Sequence, residues 1–214
     1  MMFVEEIVFN DETWILTNQR ALYWTSQNAV VLSDLHLGKT AHFRKNGIAL
    51  PSQLIHKDLE RLANMVEYFS ASKVFVVGDF LHAGKNSELA HFKNWKQQFP
   101  QLEIILIKGN HDRIAEQHLQ EIGVTKIHSS YIHKNIQLIH ECVSESDFFT
   151  ISGHIHPGIS LRLTTKKHLK LPCFVVQSTG IILPAFSSFT GLDTKEIEGD
   201  ATFYAFSEEG IFAI

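Results

Sequence analysis

The chain has 214 residues, 44% hydrophobic and 20% charged with both signs mixed, which excludes a disordered polymer and allows one sizeable core. A formal net charge of −4 argues against nucleic-acid binding through bulk positive charge, although a local basic rim beside a cationic site stays compatible with it. No apolar run approaches membrane-spanning length, and MMFVEEIVFN carries acid by Glu5 instead of a basic leader, so a cytoplasmic protein without membrane contact is expected.

Short β-rich runs at Val4 to Phe9, Thr13 to Leu16, Ala21 to Trp24 and Ala29 to Leu32, broken by Asn10-Asp11 and Ser26-Gln27-Asn28, predict an opening β-meander. Pro51 and Ser52 then start a helix expected over 52–70, with Leu54, Ile55, Leu59, Leu62, Met65, Val66 and Phe69 at helical spacing. Val74 to Val77 reads as a buried strand, Leu89, Phe92, Trp95 and Phe99 as a second helical stripe, and Ile104 to Ile107 as another buried strand: βαβαβ order. A short helix around Ile114 to Ile122 ends at Gly123, and strands are expected near 136–140, 148–152, 173–177 and 202–206. Without repeat or linker, residues 1–214 read as a single domain of α/β class. Cys142 and Cys173 lie in apolar, strand-like surroundings without CxxC spacing and read as buried free thiols.

Five polar clusters follow strand ends: Ser33-Asp34-Leu35-His36, Gly78-Asp79, Gly109-Asn110-His111-Asp112, His140, and Gly153-His154-Ile155-His156. Strand carboxyl ends are where ligand sites gather in α/β sheets. Alternation along an extended segment would let the Asp34/His36 and His154/His156 pairs each converge on one point. Carboxylate oxygen, amide oxygen and neutral imidazole suit Mn²⁺, Zn²⁺ or Fe²⁺, and a carboxylate can bridge two ions. Any one cluster alone reads better as a cap or turn. All five in order read as a site for two divalent ions, with Mn²⁺ favoured.

The series DLH, GD, GNHD, H and GHIH, from 34 to 156, resembles the calcineurin-like metallophosphoesterase superfamily. The resemblance implies a four-layer α/β/β/α sandwich of two mixed β-sheets. It also implies Asp34, His36 and His156 as ligands of one metal, Asn110, His140 and His154 of the other, Asp79 as the bridge, and His111 as the catalytic group. The flanks DLHLGKTAHFRKNGIALP, GDFLHAGK, GHIHPGISLR and LPAFSSFTGL narrow this to the bacterial DNA-ligase-associated metallophosphoesterases of the PdeM type. That resemblance implies a DNA-repair phosphodiesterase or nuclease, driven by a two-metal-activated water, working beside an ATP-dependent DNA ligase, a helicase and an exonuclease. GDFLHAG departs from the GDxxDRG of phosphoprotein phosphatases, with His82 where an Asp would orient the catalytic histidine, so a protein phosphatase is not expected. His111 is left without an assigned orienting partner, Asp112 serving equally well as a helix cap.

Lys39, Arg44, His82 and Arg113 are candidate substrate contacts, and each is also compatible with an ordinary loop or helix-start role. Lys45 and the stretch Arg162 to Lys170 carry the same two readings. Phe43, Phe186 and Phe189 could stack bases, yet with 16 phenylalanines core packing is the simpler reading. The substrate is DNA or a nucleotide phosphoester; the alternative reading is a phosphatase or phosphodiesterase for a small nucleotide or metabolite, with oligomeric state open.

Overall fold

The first of two sheets begins as a hairpin. The strands β1 (Val4–Phe9) and β2 (Glu12–Thr17) are joined by Asn10 and Asp11, whose φ angles of 52° and 58° give the turn that the right-handed twist of a hairpin favours. With β3 (Leu22–Trp24) and β4 (Ala29–Leu32) the expected meander is complete. Parallel β5 (Lys73–Val77), β6 (Glu103–Ile107) and β7 (Lys126–His128) follow, in the order β1-β2-β3-β4-β5-β6-β7. The computed structural model describes residues 1–40, 43, 47, 54–82, 88–142, 146–162 and 167–214.

Helices α1 (Leu54–Phe69) and α2 (Glu88–Gln97) connect β4 to β5 and β5 to β6, as the βαβαβ reading expects; the expected start of α1 at Pro51 and Ser52 lies outside the described residues. The helix α3 spans only Glu116–Glu121, shorter than expected, because Ala115 is extended at ψ 139°. Ile55, Leu59, Leu62, Met65 and Val66 of α1 pack with Val30, Leu32, Val74, Val76, Ile104 and Leu106 on one face of the sheet. Each such side chain contributes about 1.5–3 kcal/mol on burial. The alternate residues Val31, Phe75, Val77, Ile105 and Ile107 face the second sheet, so beyond Lys73 and Glu103 at their starts the central parallel strands are apolar on both faces.

The second sheet runs β15 (Gly210–Ala213), β14 (Ala201–Ser207), β12 (His168–Gln177), β13 (Gly180–Ile182), β10 (Phe149–Ser152), β9 (Ile136–Leu138), β8 (Tyr131–His133), with β11 (Gly158–Arg162) beside β12. Ile136, Leu138, Phe149, Ile151, Phe174, Val176 and Ile181 pack against the first sheet. The architecture is the expected α/β sandwich of two mixed sheets. Arg162 and His168 to Lys170 belong to the β11–β12 hairpin, whose residues 163–166 lie outside the described residues. The expectation of two buried thiols fails: Cys173 is buried but Cys142 is exposed, because β9 ends at Leu138 and the chain leaves the sheet before Cys142.

Candidate metal centre

Asp34 and His36 follow β4, Asp79 follows β5, Asn110 and His111 follow β6, His140 follows β9, and His154 and His156 follow β10. Within each sheet these strands run parallel, so the five clusters meet where both sheets end. The connecting backbone is not extended. Asp34, His36, Asp79, His154 and His156 all have positive φ, from 45° to 72°, a conformation costing a non-glycine residue about 1–2 kcal/mol. Such outliers concentrate at functional sites. The strained loops brace each other: Asp34 and His36 donate backbone N–H groups to the carbonyls of Gly78 and Asp79 at 3.1 and 2.9 Å.

Two groups of three result, each with ligand atoms within 4.8 Å of one another. In the first, Asp34 Oδ1 lies 3.2 Å from His156 Nε2 and 3.9 Å from His36 Nε2, and the two imidazole nitrogens are 3.4 Å apart. In the second, His140 Nε2 lies 3.3 Å from both Asp79 Oδ1 and His154 Nδ1. The pairing of His154 and His156 therefore differs from simple alternation, which would aim both at one point: they serve adjacent groups. His154 also links the groups by donating its backbone N–H to Asp34 Oδ2 at 3.1 Å.

These donors fit divalent cations. Among the described residues Asp34 Oδ1 is buried without a hydrogen bond yet faces two imidazoles, an orphan acceptor that a cation would satisfy. His140 Nδ1 lies 3.1 Å from the carbonyl of Val77, which fixes the proton there and leaves Nε2 as a lone pair turned to the group. Burial pushes His36 down to about 3 against the attraction of Asp34, so its imidazole is neutral, as a ligand must be. Burial works to raise Asp34 and Asp79, but the imidazoles beside them, His156 at Asp34 and His140 at Asp79, together with the Ser33 hydroxyl and the His111 N–H respectively, hold both carboxyls below the ordinary range. His140 is raised overall: burial lowers it, and Asp79 and Asp34 outweigh that.

His111 stands on the rim, its side chain 51% exposed, with Nε2 3.9 Å from Asp79 Oδ2 and its backbone N–H donated to Asp79 Oδ1 at 3.0 Å. Its ring stacks on His82 at 5.6 Å, and His82 meets His36 edge-on at the same separation. Lys39 lies close enough to Asp34 and Asp79 to feel both charges; burial nonetheless lowers it, and Nζ reaches Thr190 Oγ1 at 3.5 Å. Arg113 turns back, Nε donating to the Asn110 carbonyl at 2.9 Å. Arg44 and Lys45 lie outside the described residues. Phe186 is fully buried, and Phe189 meets Phe43 edge-on at 5.6 Å.

Asp112 neither orients His111 nor caps α3. Its carboxylate accepts the backbone N–H groups of Leu81 at 2.8 Å, Gly109 at 2.9 Å and Phe80 at 3.3 Å, tying the β6 loop to the β5 loop. Burial, with Asp79 adding, raises its carboxyl against those three bonds. Ser33 is a second supporting residue: Oγ donates to Asp34 Oδ2 at 2.6 Å. Adjacency to Asp34 was its only sequence signal.

The carboxyl ends of the two sheets thus present two adjoining carboxylate–imidazole groups suited to divalent cations. The chain belongs to the calcineurin-like phosphoesterase family, whose sequence profile matches residues 28–178. Among solved structures it is similar to the nuclease MPE of Pseudomonas putida, at 26% identity and TM-score 0.84, over 99% of this chain and 100% of that one. A phosphoesterase from E. coli overlaps 84% of this chain and 88% of its own at 12% identity, with a TM-score of 0.42. Among curated protein sequences none matches significantly. No described helix is long and apolar enough to cross a membrane.

Proposed function

We propose that this metallophosphoesterase is a nuclease-like phosphodiesterase that acts on DNA with two divalent ions, Mn²⁺ being favoured. The observation that carries the reading is the pair of adjoining carboxylate–imidazole groups on a scaffold that matches a nuclease end to end. Asp34, His36 and His156 would hold one ion and Asn110, His140 and His154 the other, with Asp79 between them. When bound, the ions supply charge neutralisation at the phosphoryl oxygens and a nucleophile from water near neutral pH. His111, half-exposed and free to meet substrate, transfers a proton to the leaving oxygen or stabilises the charge there, an effect of about 10²–10⁴ in rate. His82 stacks on His111 and steadies its ring. Lys39 sets a cation beside the two carboxylates, where it offsets phosphate charge.

The flanking segments support the narrower reading, a DNA-repair role beside an ATP-dependent ligase, a helicase and an exonuclease, with the whole chain acting as one domain in the cytoplasm. Turnover of a small nucleotide is the second reading, favoured by the net charge of −4. The test compares bis-p-nitrophenyl phosphate, p-nitrophenyl phosphate, mononucleotides and a labelled DNA duplex, using metal-stripped protein, Mn²⁺ add-back and His111→Ala. Diester and DNA cleavage restored by Mn²⁺ and lost in the variant supports the proposal. Nucleotide or monoester turnover with intact DNA supports the second reading, and no turnover with any divalent ion rejects both.

A further inference from the structure

A cavity of about 570 Å³ opens between the β2–β3 turn, α1 and the second sheet, and none of its lining residues is a candidate metal ligand. Two guanidinium groups, Arg20 and Arg61, lie in its wall. Arg61 is 15% exposed, pairs with Asp58 at 2.8 Å and sits 4.4 Å from the centre of the Phe186 ring. Arg20 donates Nη1 to the carbonyl of Ala185 at 3.2 Å, and among the described residues its Nε and Nη2 have no hydrogen-bond partner. Arg61 is held in place, Nη2 donating to Asp58 and to the Phe186 carbonyl, and its Nε is buried without a partner among the described residues. Two cations thus share one carboxylate, leaving one positive charge in excess within a largely buried wall. Burial and the charge of Arg61 together push Arg20 down to about 10.

The backbone adds a second observation. Arg20 has φ 65°, in a turn where glycine or asparagine would sit without strain. Strain of this kind persists where the surrounding structure over-determines it, and ligand clamps are among the places where it is found. The rest of the wall is mixed: Leu171 and Phe206 are apolar, and Ser188 and Ser207 bring hydroxyls. The one acidic lining residue, Glu208, is exposed, where solvent screens it.

We propose that this cavity is a binding site for a phosphate monoester with a ring-sized organic body, separate from the metal centre and independent of what that centre hydrolyses. A phosphoryl group offers three oxygens to the unbonded Nε and Nη2 of Arg20 and to the Ser207 hydroxyl, which among the described residues only accepts a bond from the Glu209 N–H, while Arg61, held by Asp58 and the Phe186 carbonyl, adds its charge behind them. The apolar wall takes the body, and the volume lies within the usual range of about 300–1,000 Å³ for small-molecule sites. The ligand would rest against the 185–188 segment, whose Phe186 and Ser187 N–H groups bond the carbonyls of Ser33 and Asp34.

Calorimetric titration of metal-stripped protein with AMP tests this, with adenosine and inorganic phosphate as part-ligands. Arg20→Asn accepts the positive φ and Arg20→Lys keeps the charge, so one of them reports even if the other unfolds. AMP is expected to bind at millimolar or lower concentration, more tightly than phosphate, with adenosine silent. Each folded Arg20 variant should weaken it about tenfold or more, and His111→Ala should leave it within about twofold. No binding of AMP, unchanged affinity in the Arg20 variants, or equal loss in His111→Ala overturns the proposal.

Discussion

Replacing Gly109 by alanine tests how tightly the metal loops are fitted. A Cβ there would lie 2.3 Å from the backbone nitrogen of Asp79 and 2.4 Å from its Oδ1, where ordinary contact begins near 3.4 Å. The first is backbone and the second is held by the His111 N–H, so Asp79 and the β5 loop must retreat by about 1 Å. Overpacking of this size costs about 1–3 kcal/mol, which in a chain of this length lowers the melting temperature by roughly 2–12 °C. The larger effect should fall on the site, because a displacement of about 1 Å in a positioned group can cost about 10²-fold in rate. Diester hydrolysis at saturating Mn²⁺, Mn²⁺ affinity by calorimetry, and thermal melting would be read together. Gly191→Ala is the control: nothing lies within 4 Å of its Cβ position. Gly109→Ala with Mn²⁺ affinity and turnover within about threefold of the parent chain would refute the reasoning.

Four further outcomes are expected. Asp112→Asn keeps one acceptor oxygen but sets an NH₂ against backbone donors; it should cost about 2–3 kcal/mol in denaturant unfolding and weaken Mn²⁺ binding, and unchanged stability would contradict the clamp. In the native protein at about pH 8, a thiol reagent should titrate Cys142 alone, because burial pushes the Cys173 thiol up to about 12; two fast thiols would contradict this. Burial works to raise Glu12, but hydrogen bonds from Ser26, Lys134 and Trp24 hold its carboxyl below the ordinary value of 4.5. Its stabilising effect is therefore present above that value and lost as pH falls through the lower folded-state value; Glu12→Gln should flatten this part of the acid limb of a stability–pH curve, and an unchanged limb would contradict the assignment. A chelator should lower the melting temperature, and Mn²⁺ at about 100-fold above its dissociation constant should restore about 2.7 kcal/mol, with no shift arguing against binding to the folded chain.

Much of the fold was legible because the central strands bury both faces and the helices keep a regular stripe. Val74 to Val77 and Ile104 to Ile107 are apolar runs, and Leu54 to Phe69 carries five buried apolar residues at helical spacing. The strands β7, β8 and β13 have three residues each, too few for any period to show, and their pairing supplies what propensity does not. At the site, residue types and order announced metal chemistry, but backbone conformation did not. Asp34 and His36 have the i, i+2 spacing of an extended strand, yet both adopt left-handed φ, and His154 and His156 part toward different groups. Asp112 was visible only as a neighbour of His111; the amides it captures at Phe80 and Leu81 lie some thirty positions earlier, a relation that exists only after folding.

The central claim is that two divalent ions sit at the joined strand ends, one in each group of three side chains. Crystals grown with Mn²⁺ and measured for anomalous scattering test it most directly. The account predicts two peaks about 3.5–4 Å apart, one against Asp34, His36 and His156 and one against Asp79, His140 and His154. No peak there, or a single ion bound elsewhere on the chain, would contradict it.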